Sequence, residues 1–178
     1  MKSRKKIFGG AAAMLVVSVV IFAAFSIETR APSPPTLALP DLSGHCLAAH
    51  AYVTTALTAS NLPNISGWQV NVTYDSYDVR PMSFTWGSQF PTSNGYTGVK
   101  NGTGYYEIGY AYQNGATITT ASQTTLVTFT WRTLVYHAFS WFHIVNSTEN
   151  PAQGTFLLNQ GLKPQPYNTL DGDLSCQV

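Results

Sequence analysis

Gly67-Trp68-Gln69-Val70-Asn71-Val72-Thr73-Tyr74-Asp75 sets large apolar or aromatic residues against polar ones at every second position. A β-strand sends successive side chains to opposite faces, so this period of two predicts a half-buried strand with Trp68, Val70, Val72 and Tyr74 inward. Gln69, Asn71, Thr73 and Asp75 then form the wet side. That side carries Asn71-Val72-Thr73, an acceptor sequence for N-glycosylation, which points to a surface outside the cell.

The same grammar recurs along the chain. Val127, Phe129 and Trp131 alternate with Thr128, Thr130 and Arg132, and no stretch after residue 35 keeps an apolar period of 3.6. Short runs rich in Val, Ile, Thr, Tyr, Phe and Trp are parted by breakers such as Asn61-Leu62-Pro63-Asn64, Ser93-Asn94-Gly95, Asn101-Gly102-Thr103-Gly104, Asn114-Gly115 and Asn150-Pro151. Strands are expected at 36–39, 49–59, 67–75, 79–86, 104–112, 124–134, 139–145, 155–158 and 172–177. Such a series predicts an all-β, antiparallel jelly-roll sandwich of about nine strands. Trp68, Trp86, Trp131, Trp141 and most of the ten tyrosines fall in these runs. Each buried ring removes roughly 150–250 Å² from water, enough for one large core.

The first 30 residues read as targeting. Lys2, Arg4, Lys5 and Lys6 precede an uncharged stretch from Ile7 to Ile27. This is a basic n-region and an apolar h-region, and Ala24-Phe25-Ser26 supplies small residues for signal-peptidase cleavage. The stretch also approaches the roughly 20 residues of an uncleaved membrane anchor. Both readings stay open, and both place the remainder outside the cell. Residues 31–35, Ala-Pro-Ser-Pro-Pro, form an extended linker, leaving 36–178 as the folded domain. The membrane is expected to be touched only by the N-terminal segment.

In residues 31–178, Arg80, Lys100, Arg132 and Lys163 stand against Asp41, Asp75, Asp78, Glu107, Glu149, Asp171 and Asp173, a net charge of −3. A nucleic-acid binder needs a basic stripe, and none is present. The two cysteines, Cys46 and Cys176, are expected to pair in an oxidising compartment. Closing a loop of about 130 residues removes denatured-state entropy worth roughly 5 kcal/mol.

Several stretches together resemble cohesin-type domains. Asn61-Leu62 followed by Gly67 to Asp75 is similar to their second and third strands. Gly104-Tyr105-Tyr106-Glu107-Ile108-Gly109-Tyr110-Ala111 looks like the central strand that runs into small residues. Thr125-Leu126-Val127-Thr128-Phe129-Thr130-Trp131 resembles the strand after it, and Thr169-Leu170-Asp171-Gly172-Asp173-Leu174 the Asp-Gly turn before the last strand. The order holds over about 36–177. The resemblance implies a nine-stranded jelly roll, a fold shared with several carbohydrate-binding modules. It also implies a partner's dockerin docked on one sheet face, or service as a module of an exported surface protein. The chain departs from scaffold proteins in having a single such domain, without dockerin-like calcium repeats. A glycan at Asn71 would project from the third strand on the side commonly used for docking and would hinder it.

Candidate sites follow from residue chemistry. Asn64, Asn71, Asn101 and Asn146 head glycosylation sequons. Tyr106, Tyr110 and Tyr112 share one side of their strand, as a binding face for sugar rings or a protein partner, or else as core with hydroxyls satisfied at its edges. Asp171-Gly172-Asp173 reads as a turn rather than a calcium loop, because such a site needs six to eight oxygens. Asp75, Asp78 and Glu107 lack any feature that fixes a glycosidase pair. His45, His50, His137 and His143 lack ligand spacing, so no metal or cofactor is expected. No nucleophile motif occurs, which leaves no residue set for an enzyme. The expectation is an exported, non-catalytic binding module that takes a dockerin-like protein or a polysaccharide. The alternative is a structural subunit of a surface filament or S-layer-associated assembly, with the arm around 31–40 adding a strand to a neighbour's sheet.

Overall fold

The computed structural model describes residues 33–43, 48–146 and 154–175. The leader region 1–30 lies outside them, as do both cysteines. No helix among the described residues is long and apolar enough to cross a membrane.

Fourteen strands follow one another in these residues. They are β1 (Thr36–Ala38), β2 (Leu42–Ser43), β3 (Tyr52–Ser60), β4 (Leu62–Thr73) and β5 (Val79–Trp86). After a single 3-10 turn at Thr92–Asn94 come β6 (Gly95–Gly102), β7 (Tyr105–Tyr112), β8 (Ile118–Thr120) and β9 (Thr124–Thr133). The chain ends in β10 (Ser140–Ile144), β11 (Phe156–Asn159), β12 (Pro164–Gln165), β13 (Asn168–Leu170) and β14 (Gly172–Ser175).

They form a smaller sheet in the order β13-β1-β3-β9-β5 and a larger one of nine strands. In the larger sheet β4 is the centre. One of its edges pairs with β10 and β11, the other with β7 and β8, and β6 lies beyond β7. Beyond β10 come β14 and then β2. Pairing is antiparallel except for β1 with β13 and β2 with β14.

The alternating strands seal the two layers. Val127, Phe129 and Trp131 of β9 and Trp68, Val70 and Val72 of β4 are all buried in one core. One chain of ring contacts crosses the core: Phe90 on Trp68, Trp68 on Trp86, Trp86 on Phe84, Phe84 on Tyr106, Tyr106 on Phe129, then Trp131 and Phe142. Edge and tilted geometries dominate it, as the quadrupole of aromatic rings favours.

The sandwich class agrees with the sequence, with three differences. Five short or exposed strands, β2, β6, β8, β12 and β13, raise the number above nine, and two parallel pairings interrupt the antiparallel pattern. Second, Pro63 and Asn64 do not separate strands: they form a bulge inside β4, where the register to β8 shifts between Leu62 and Ile65. A bulge tolerates a residue without an N–H. Third, Thr36–Ala38 is already inserted between β3 and β13, with Leu37 and Leu39 buried. That part of the arm is not free to extend a neighbour's sheet.

Candidate functional site

Tyr106, Ile108 and Tyr110 point from β7 into the core, so Tyr105, Glu107, Gly109 and Ala111 point out. Tyr106 and Tyr110 are 6% and 1% exposed, which corrects their reading as a binding face. Their hydroxyls follow the core alternative: Tyr110 donates to the Pro91 carbonyl at 2.9 Å and Tyr112 to that of Gln89 at 2.7 Å. Burial pushes the phenols of Tyr106 and Tyr110 up, and that of Tyr112 to about 12, with Tyr110 beside Tyr112 adding to the effect.

The register carries this parity across the sheet. Gly67 of β4 faces Ala111, which faces Tyr96 of β6; Gln69 faces Gly109, which faces Gly98. On the far side of β4, Leu158 and Phe156 flank Gly67 and Gln69. Here the outer face of the larger sheet sinks into a shallow trough of about 310 Å³. Its floor is bare backbone at Gly67, Gly98 and Gly109, and Tyr96 and Phe156 form its walls. A Cβ at Gly109 would sit 3.1 Å from the Trp68 carbonyl oxygen, whereas at Gly98 it would meet nothing within 4 Å. Gly109 thus serves packing, and Gly98 keeps the trough open.

The wet-side reading of β4 fails at its middle. Asn71 is 1% exposed. Its N–H donates to Thr155 Oγ1 at 3.1 Å, its carbonyl accepts from Val145 N at 3.0 Å, and Gln69 Nε2 donates to the Gly154 carbonyl. Val145, Gly154 and Thr155, beside β10 and β11, thus bond to a stretch of strand whose pattern suggested solvent. An amide so enclosed carries no glycan in the folded domain, which corrects the candidate at Asn71. It also removes the obstacle that such a glycan would place on this face. Asn64 and Asn101 are exposed, at the β4 bulge and the end of β6. Asn146 is half-buried, and the rest of its sequon lies outside the described residues.

The carboxylates are engaged locally. Asp75 Oδ1 accepts from Tyr77 N at 2.8 Å, and Asp78 Oδ2 from Phe139 N at 3.0 Å. Asp171 meets His143 Nδ1 at 2.5 Å and accepts from Ile144 N at 2.8 Å. Asp173 hydrogen-bonds to Asp41, which raises its pKa, with burial adding to the rise. Among the described residues, no three His, Cys, Asp or Glu groups gather where a metal ion could be held. The disulfide candidates Cys46 and Cys176 lie outside the described residues.

No family model and no curated protein matches the chain. Solved structures do. The sixth cohesin of scaffoldin B from Acetivibrio cellulolyticus, in complex with a dockerin, is similar with a TM-score of 0.65 at 14% identity, covering 82% of this chain and 100% of that one. A non-cellulosomal cohesin from the archaeon Archaeoglobus fulgidus gives 0.62 at 11%, over 79% of this chain and 89% of that one. A type I cohesin–dockerin complex from Clostridium thermocellum gives 0.62 at 13%, over 79% and 91%. Identities this low speak for backbone architecture alone, and in that architecture the chain is a cohesin-type β-sandwich.

Proposed function

We propose that the chain is an exported, non-catalytic module that docks a protein partner on the outer face of its larger sheet, with residues 1–30 as leader or anchor. The observation that carries the reading is the glycine-floored trough between Tyr96 and Phe156. An interface needs an anchor pocket that desolvates fully, and a bare-backbone floor lets a partner's side chain reach the sheet itself. The buried amide of Asn71 leaves the adjoining surface unobstructed. Several structural neighbours are cohesins in complex with dockerins, which supports a partner of that kind.

The test is calorimetric titration of the full chain with dockerin modules, with calcium and after chelation. Gly98→Arg fills the trough from a position where a side chain meets no neighbour. It is expected to weaken binding by about tenfold or more, equivalent to at least 1.4 kcal/mol. Binding that ignores this substitution places the interface elsewhere.

A further inference from the structure

A second concavity opens at one end of the sandwich, between the turn that precedes β6 and the turn that follows β7. Its volume is about 480 Å³, within the range of small-ligand sites. Gln89, Ser93, Asn94, Gln113 and Asn114 supply its polar lining, and the ring of Tyr112 stands among them with Pro91 and Ala116. Among the described residues, no charged side chain lines it.

That chemistry is selective. Each side-chain amide offers two donors and an acceptor, and the Ser93 hydroxyl donates to Asn94 Oδ1 at 3.2 Å and keeps its oxygen as an acceptor. Phosphates and carboxylates are held by cationic or multiple N–H partners, and hard cations by carboxylate oxygens. An uncharged set of donors and acceptors beside one aromatic ring instead matches a polyol with an apolar C–H face. Tyr112 is a fixed wall. Its hydroxyl is committed to the Gln89 carbonyl, and its ring packs 5.0 Å from Tyr110 and 5.9 Å from Phe90. With a pKa of about 12 the phenol stays neutral, so it adds no charge. The frame is tied across both turns: Asn94 N donates to the Pro91 carbonyl, Gln113 N to that of Asn94 and Ala116 N to that of Gln113. Asn114 takes the left-handed conformation, φ 57°, that asparagine tolerates. The amides are therefore presented from a preformed scaffold.

We infer that this cavity binds a neutral saccharide, one or two pyranose rings of an uncharged glycan. The site is separate from the docking face. Tyr112 lies on the inward side of β7, and its neighbour Ala111 on the outward side that forms the trough.

The experiment is calorimetry of the full chain in a zwitterionic detergent without sugar headgroups. The probes are cellohexaose and xylohexaose, for structural polysaccharides, and mannopentaose, for protein-linked glycans. At least one is expected to bind, and the arm that responds identifies the source. The doubly substituted Asn94→Ala/Gln113→Ala chain is expected to lose about tenfold in affinity, the value of one to two neutral hydrogen bonds. Ser93→Trp, an exposed substitution that fills the cavity, is expected to abolish binding. Gly98→Arg is expected to leave it unchanged, so failure of the docking proposal and failure of this one read differently. No binding by any probe at millimolar concentration overturns the inference, as does binding that survives Ser93→Trp in a chain of unaltered melting temperature.

Discussion

At the scale of single residues, the core is specified by polar atoms as well as by rings. Trp131 and Thr55 are both fully buried, and Trp131 Nε1 donates to Thr55 Oγ1 at 2.7 Å. An indole N–H is a donor only, and without this hydroxyl it would be left unpaired between two sheets. Thr55→Val keeps the shape and removes the acceptor. It is expected to destabilise the domain by about 1–3 kcal/mol, measured as a lower denaturation midpoint with an unchanged slope. Thr55→Ser keeps the hydroxyl and gives up one methyl, so it is expected to lose less. A valine variant as stable as the serine variant would assign the threonine to packing alone. The reading of Asn71 shows the opposite lesson. A polar residue in alternation looks wet from sequence, but Asn71 is buried, with its N–H bonded to the hydroxyl of Thr155, 84 residues away. Local pattern contains no information about such a contact.

At the scale of elements, the C-terminal strand β14 is held by groups that titrate. Its register with β2, Leu174 to Leu42, brings Asp173 beside Asp41 across the parallel pair. On its other side Trp141 faces Asp173, and His143 reaches Asp171. Two carboxyl groups share a hydrogen bond only when one keeps its proton, so the Asp41 contact, then burial, raises the pKa of Asp173, against a smaller opposing bond from Ser175. The native state therefore holds this proton more tightly than the unfolded chain. The contribution is complete below the ordinary aspartate range and is lost as pH climbs through the raised value. Asp173→Asn mimics the protonated group. The stability difference between wild type and variant is expected to shift in favour of the variant as pH rises through that window, in urea melts at a series of pH values. A difference that stays flat would show the pair to be solvated.

Elements also differ in how clearly their residues announce them. β4, β5, β7 and β9 carry large apolar side chains at alternate positions and are legible directly. β6, Gly95-Tyr96-Thr97-Gly98-Val99-Lys100-Asn101-Gly102, is almost wholly exposed, so no alternation in burial marks it. Its signal was the Asn101-Gly102-Thr103-Gly104 turn, since a hairpin turn implies a strand on both sides. With β6 unread, the trough it walls was unreadable too. β2, β12 and β13 are two or three residues long and exist through their neighbours.

At the scale of the whole molecule, a short pairing joins the start of the domain to its last strand. β2 and β14 share only two register positions, Leu42 with Leu174 and Ser43 with Ser175. They run parallel, so Ser43 and Ser175 are partners at the C-terminal ends of the two strands. Cys176 follows Ser175 directly and Cys46 comes three residues after Ser43. Three residues span at most about 10 Å, a length compatible with a bond between thiols that follow paired strands. We propose that they form a disulfide that clamps β2 onto β14 and closes nearly the whole domain in one loop. A chain isolated from an oxidising host is expected to titrate no free thiol under denaturing conditions before reduction and two after it. Reduction, or Cys46→Ser with Cys176→Ser, is expected to lower stability by up to about 5 kcal/mol, since the open chain regains the entropy the loop denied it. Exchange of backbone amides should rise first in β2 and β14, joined by only two register positions, while β3, β4 and β9 keep their protection. Two free thiols in the oxidised chain would remove the clamp and leave β2 held by its two-residue pairing, by Asp41 and by Leu42 against the core.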